Sequence, residues 1–247
     1  MVNSNLIGGS SSGRTQAFGA WYEGSNPSPP AISAGIDIGG SKIRAVLWSG
    51  KKVIKTKEVK TPKNLVAFKI VLKKLLGNSV AKLGIAVPGR ISESTFVSAT
   101  NLPYIQNFNF AKFFAGAKVK IDHDARCFAR AEYVSKRTTL FLMLGTGVGR
   151  AVGRNGKILR VKKLEYPERW EREYKKIRDS KNDQRLAAFL GLKLKKIISF
   201  YKPKTIAVGG GVATRKGFLK KLQKALRLPV KKSKFGKNSV AIGAAIK

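Results

Sequence analysis

The stretch GIDIGGSKIRAVLWSG, Gly35 to Gly50, sets one carboxylate, Asp37, inside an apolar run and follows it with Gly39, Gly40 and Ser41. Residues of these types at this spacing can receive a metal-bound phosphate. Glycine lets backbone N–H groups approach phosphate oxygens closely, and Ser41 can donate a hydroxyl hydrogen bond. Asp37 can hold Mg²⁺ directly or through water, because hard cations take carboxylate oxygen. A second cluster, Gly145-Thr146-Gly147-Val148-Gly149, can cradle phosphate in the same way. A third, Gly209-Gly210-Gly211, ends an apolar run where a bulky side chain would block an adenine or ribose face. None has the GxxxxGK[ST] spacing of a Walker P-loop, so the chemistry points to a different nucleotide fold. Any one cluster alone reads as a tight turn; their order and separation favour a nucleotide. The nucleotide side so defined comprises Asp37, Gly39, Gly40, Ser41, Lys42, Gly145, Thr146, Gly147, Gly210 and Gly211.

Such groups need elements to hold them. AGIDIGGSKIRAVLWSGKKVIKTKEVKT reads as strands with tight glycine turns, and NLVAFKIVLKKLLGN as a helix closed by glycine. KLGIAVPGRI is a buried strand, FNFAKFFAGA a short helix, and KVKIDHDARCFARAEYV a strand running into a helix at Asp124. The second half repeats the grammar. TLFLMLGTGVGRAVGRNGKI is a strand pair, QRLAAFLGLKLKKIISFYKP a long helix and KTIAVGGG a buried strand. TRKGFLKKLQKAL and SVAIGAAIK follow as helices, the last small and apolar enough to pack closely. Strand–glycine–strand thus occurs twice, each time followed by helices, which predicts two related α/β lobes rather than one doubly wound sheet. The division expected is a leader over residues 1–34, a first lobe over 35–121 and a second over 122–247.

Composition narrows the class. At 247 residues and 43% hydrophobic, the chain can build two lobes with their own cores. No apolar run approaches the ~20 residues a bilayer needs, and the opening residues lack a basic segment followed by an apolar one, so a cytoplasmic protein is expected. Cys127 stands alone, which excludes a disulfide framework and a thiolate zinc cluster. Fifty Lys+Arg against 13 Asp+Glu give a formal charge of +37. That charge attracts polyanions, yet the lysines are scattered and no RNA-recognition or zinc-finger signature accompanies them, so no specific nucleic-acid partner is expected. Residues Met1 to Pro30 are Ser/Gly/Pro-rich without apolar periodicity and read as disordered. Synonymous codons for GSSSGRT, QAFGAW and EGSNPS can be written as the D-, anticodon and T-arms of a transfer RNA gene, in that order. The expectation is a start assigned too early, with the native protein beginning near Ile32.

From about Gly35 onward the chain resembles the ROK (repressor, open reading frame, kinase) sugar kinases, glucokinase-like members of the actin-like, sugar-kinase and chaperone ATPase superfamily. GIDIGGSKIRAVL looks like the family's first phosphate motif, LMLGTGVGRAVGRNGKI like its second and IAVGGGVA like its adenosine motif. LGIAVPGRI, ATNLPY and IDHDARCFARAEY stand between them in the family order. The resemblance implies a two-lobed, ribonuclease H-like fold with a central cleft, and ATP- and Mg²⁺-dependent phosphorylation of a hexose or N-acetylhexosamine. It also implies a homodimer. Asp124 takes the place of the family's catalytic aspartate; its position also suits a helix N-cap. Asn101 lies where the family contacts sugar hydroxyls, and His123 stands where an asparagine is usual. Arg126 likewise replaces an asparagine. The family's zinc module is missing, so no structural zinc is expected. After Gly156, a charged segment replaces the sugar-specificity loop, with Glu165 the candidate for its sugar-binding glutamate. A ROK-like sensor of nucleotide or sugar is the alternative to a kinase.

Overall fold

The computed structural model describes residues 32–76 and 80–247. The reading of residues 1–31 as a leader and an early start lies outside the described residues. The first strand begins at Ser33, so the ordered lobe opens two residues earlier than the pattern suggested.

The first lobe runs β1 (Ser33–Ile38), β2 (Lys42–Trp48), β3 (Val53–Lys60), α1 (Leu65–Leu76) and β4 (Lys82–Val87). A small sheet follows, β5 (Arg90–Ser92), β6 (Thr95–Ser98) and β7 (Phe108–Asn109), with α2 (Phe110–Phe113) behind it. Then come β8 (Lys118–His123) and α3 (Asp124–Glu132). The second lobe runs β9 (Thr139–Leu144), β10 (Val148–Arg154), β11 (Lys157–Ile158), α4 (Lys162–Glu165), α5 (Glu171–Asp179) and α6 (Asp183–Tyr201). It closes with β12 (Thr205–Gly209), α7 (Phe218–Leu226), β13 (Val230–Lys232) and α8 (Ser239–Ala245).

The two large sheets share one topology. Their orders are β3-β2-β1-β4-β8 and β11-β10-β9-β12-β13. In each, an antiparallel meander of three strands is followed by two parallel strands added through crossovers. The twofold grammar of the sequence is therefore a duplicated fold, and the first two glycine clusters form the β-hairpin turn at the same place in each sheet. Period-2 burial explains the meanders, as Ile36 and Ile38 of β1 point with Ile43 of β2 into a core closed by Phe68 and Leu72 of α1. In the second lobe, Leu140 and Leu142 of β9 meet Leu186, Leu190 and Leu194 of α6 and Phe218 and Leu222 of α7.

The last helix corrects the expected lobe boundary. α8 packs on β1, β2 and β4 of the first sheet and on α3, which in turn packs on β9 and β10. The layers are therefore first sheet, α8, α3, second sheet. The reason is backbone-close contact. A Cβ on Gly35 would stand 1.8 Å from the Ala241 carbonyl oxygen, and one on Gly84 would stand 1.8 Å from that of Ala244. Gly243 of α8 meets the Cys127 carbonyl of α3 as closely. Small residues on both sides let α8 lie on the sheet with no side-chain layer between. A cut at 121/122 would also split β8, whose Asp122 and His123 pair with Ala86 and Val87. Among the described residues, no helix is long and apolar enough to cross a membrane.

Candidate active site

A cleft of about 770 Å³ opens between the lobes. Asp37, Gly39, Gly40, Asn101, His123, Asp124, Gly145, Thr146, Gly147 and Glu165 all line it. Ser41, Lys42, Gly210 and Gly211 do not line this cavity.

The β1–β2 turn builds one wall. Gly39 N–H donates to the Lys42 carbonyl at 3.0 Å, and the Thr61 hydroxyl donates to the Gly39 carbonyl at 2.6 Å. A Cβ on Gly40 would lie 2.8 Å from Asn101 Nδ2, so this glycine brings the turn against the asparagine. Lys42 is turned away, its ammonium 2.5 Å from Glu58 Oε1 on β3. Hydrogen bonds from Lys42 and Arg44 hold the Glu58 carboxyl down at about 2. Asp37 is different. Burial pushes its carboxyl up to about 7, with the Asp124 charge and Glu58 adding to the rise and Arg44 opposing it.

The β9–β10 turn builds the facing wall and is braced from behind by α5. Tyr174 Oη donates to the Gly145 carbonyl at 3.0 Å, and Arg178 Nη1 donates to the carbonyls of Gly145 and Thr146 at 2.8 Å each. Glu171 Oε2 accepts the Val148 N–H at 3.2 Å. The sequence reading missed all three residues. Their spacing of three and four places them on one helical face, which was the available signal. The third glycine cluster serves the same turn. Gly210 has φ +89°, and a Cβ there would meet the Leu144 carbonyl oxygen at 2.4 Å, directly before Gly145. The constraint on Gly210 is thus backbone packing, whereas Gly211 faces open space.

Asp124 is the first helical residue of α3 rather than its cap; His123 holds the cap position without a side-chain capping bond. Asp124 Oδ1 accepts the Ala125 N–H at 2.6 Å, and the helix N-terminus favours its negative charge. His123 is buried, with Nδ1 3.1 Å from Asp124 Oδ1 but making no hydrogen bond.

Beneath Asp124 lies Asp122, which the sequence reading also missed. Arg126 Nε donates to its Oδ1 at 2.7 Å, Arg130 Nη2 pairs with its Oδ2 at 2.5 Å and Lys247 Nζ lies 3.4 Å away. Burial alone would raise this carboxyl, but the Arg126, Arg130 and Lys247 cations hold it well below the usual carboxylate range. Arg126 also pairs with Glu165 from α4. The chain therefore links its C-terminal residue, α3 and the second-lobe wall through one buried carboxylate.

The donor set fits a nucleotide-bound Mg²⁺. Two glycine turns face each other across the cleft, and the Asp124 charge adds to the raised proton affinity of Asp37, which a divalent cation would relieve. Among the described residues, no group of three or more His, Cys, Asp or Glu forms a metal cage.

A family model described as the ROK family matches residues 33–163, from β1 into α4. Over 140 residues the chain is 31% identical to the N-acetyl-D-glucosamine kinase of Erwinia tasmaniensis, covering 50% of this chain and 46% of that protein. The chain spans about half the length of the curated relatives it matches. A ROK family glucokinase from Streptomyces griseus, solved with glucose and AMPPNP, superposes with a TM-score of 0.73 at 18% identity, covering 87% of this chain and 98% of that one. A ROK family transcriptional regulator superposes with a TM-score of 0.65 at 15% identity, covering 87% of this chain and 77% of that one. The fold is the two-lobed actin-like ATPase fold.

Proposed function

This chain belongs to the ROK family, and from that premise we propose that it is an ATP-dependent kinase acting on a hexose or N-acetylhexosamine. The observation that carries the reading is Asp124, held at the first turn of α3 and open to a cleft whose facing walls are two glycine hairpin turns. Asp37, Gly39 and Gly40 would hold Mg·ATP from one side, and Gly145, Thr146 and Gly147 from the other. Bound Mg²⁺ would supply charge neutralisation at the phosphates. Gly211 would sit against the adenosine. Asn101 and His123 orient the acceptor hydroxyl, and Asp124 takes its proton. Positioning and charge neutralisation supply most of phosphoryl-transfer catalysis, so a carboxylate base suffices. Lobe closure excludes water and limits idle hydrolysis of ATP.

The test is ADP release from Mg·ATP with glucose, N-acetylglucosamine, N-acetylmannosamine, mannose and fructose. A sugar that raises turnover, with the effect lost in Asp124→Asn, supports the kinase. A second reading, a non-catalytic nucleotide or sugar sensor, is favoured by one feature: Glu165, the candidate sugar carboxylate, is already paired with Arg126. In a sensor, Asp124→Asn leaves ligand binding and its read-out unchanged, and no sugar raises turnover.

A further inference from the structure

The 164–175 wall of the cleft has an uneven distribution of committed and open charge. The carboxylates of this wall that line the cleft, Glu165, Glu168 and Glu171, are engaged. Glu165 pairs with Arg126, and Glu168 lies 2.7 Å from Arg150 Nη1. Glu171 accepts the N–H groups of Val148 and Glu168 at 3.2 and 3.1 Å. Its cations are open. Arg169, Arg172 and Lys175 follow one another at a spacing of three, are exposed, line the cleft, and have no ion-pair or hydrogen-bond partner among the described residues. α5 turns one face inward through Glu171, Tyr174 and Ile177. The same cleft contains a buried polar atom without a hydrogen bond, Nδ1 of His123, whose residue is only 4% exposed.

Neutral sugars are gripped through their hydroxyls, for which carboxylates are strong charge-assisted acceptors. Here those acceptors already have partners. The groups left open are donors, and the planar fork of arginine matches a carboxylate or phosphate. We propose that the acceptor is a hexose-type sugar carrying an anionic substituent, a carboxylate or a phosphate, held by Arg169, Arg172 and Lys175 while its free hydroxyl faces Asp124. The inference rests on the kinase reading and deepens it. In the step itself, the bond from the γ-phosphorus to the β–γ bridging oxygen breaks, and ADP keeps that electron pair. The acceptor oxygen forms the new P–O bond, and its proton passes to Asp124.

The experiment measures kcat/KM with the full chain, Mg·ATP and four acceptors: glucose, N-acetylglucosamine, glucuronate and glucose 6-phosphate. The expected result is a preference of about tenfold or more for an anionic acceptor over its neutral counterpart. Glucuronate against glucose 6-phosphate tells carboxylate from phosphate. The double variant Arg169→Gln/Arg172→Gln is expected to raise the anionic acceptor's KM by about tenfold and to leave the KM of Mg·ATP within about twofold. Preference for a neutral sugar overturns the inference and leaves the kinase reading standing. So does a double variant that raises the KM of Mg·ATP alone, since the cations then serve the donor. No turnover with any acceptor, while calorimetry still shows ATP binding, overturns the kinase reading and this inference together.

Discussion

Two carboxylates two residues apart divide the labour of the site. Asp124 faces the cleft, whereas Asp122 faces the cations that hold α3 in place. Replacing Asp124 with asparagine keeps size and the Ala125 contact but removes the proposed base, so turnover should fall by about 10²–10⁴ while the Kd of Mg·ATP stays nearly constant. Asp122→Asn instead leaves partly buried Arg130 without its carboxylate partner and buried Arg126 with Glu165 alone, a change of about 3–5 kcal/mol in stability for a broken buried pair. The sign with pH follows from its depressed carboxyl. The folded state holds Asp122 ionised more readily than the unfolded chain does. Its contribution is therefore fully present above the ordinary aspartate value, near pH ~4, and is lost progressively as pH falls from there through the lower value of the folded state. Thermal denaturation should show the gap in Tm between the parent and Asp122→Asn narrowing on acidification below about pH 4; a gap that widens contradicts the assignment. Asp37 and Asp124 were legible because a lone acid beside glycine, or at a strand–helix junction, is unusual locally. Asp122 was not, since its partners include Lys247, far away in the chain. Glu171, Tyr174 and Arg178 were hidden for the same reason.

At the scale of elements, the hairpin turns depend on what packs behind them. α5 braces the second turn through its carbonyls, and α8 supports the first sheet through backbone contact at Gly35 and Gly84. Alanine at Gly84 places a methyl carbon 1.8 Å from the Ala244 oxygen, and α8 must move to admit it. Overpacking of this kind costs about 1–3 kcal/mol or more, and each kcal/mol lowers Tm by roughly 2–4 °C in a chain of this size. Gly116, which has nothing within 4 Å of its Cβ position, is the control for side-chain space, though its φ of +93° adds strain of its own. Scanning calorimetry of Gly84→Ala should show the loss; an unchanged Tm means α8 is not seated as described. The strands and helices themselves were legible from period and glycine punctuation. The destination of α8 was not, because a run of small apolar residues says that a helix packs closely without saying against which sheet.

For the whole molecule, duplication of one sheet topology creates the cleft, and the two glycine turns meet because each occupies the same place in its own sheet. That much was legible, since strand–glycine–strand recurs in the sequence. The altered wall after Gly156 was read only as charged, and its division into engaged carboxylates and open cations needed the fold. The formal +37 is a property of the whole chain. Its expected consequence is nucleic-acid binding without sequence preference that weakens by about 10³-fold or more between ~50 and ~200 mM salt, measurable by fluorescence anisotropy. Affinity that persists at the higher salt with a preferred sequence would place nucleic acid among the specific partners. Phosphoryl transfer to a sugar hydroxyl, with Asp124 as the proposed base, can be followed by ³¹P NMR of the protein with Mg·ATP and the acceptor panel. A new phosphomonoester resonance should grow in step with ADP and be absent in Asp124→Asn. ADP appearing only with inorganic phosphate, or a phosphomonoester formed equally fast by Asp124→Asn, would contradict this assignment.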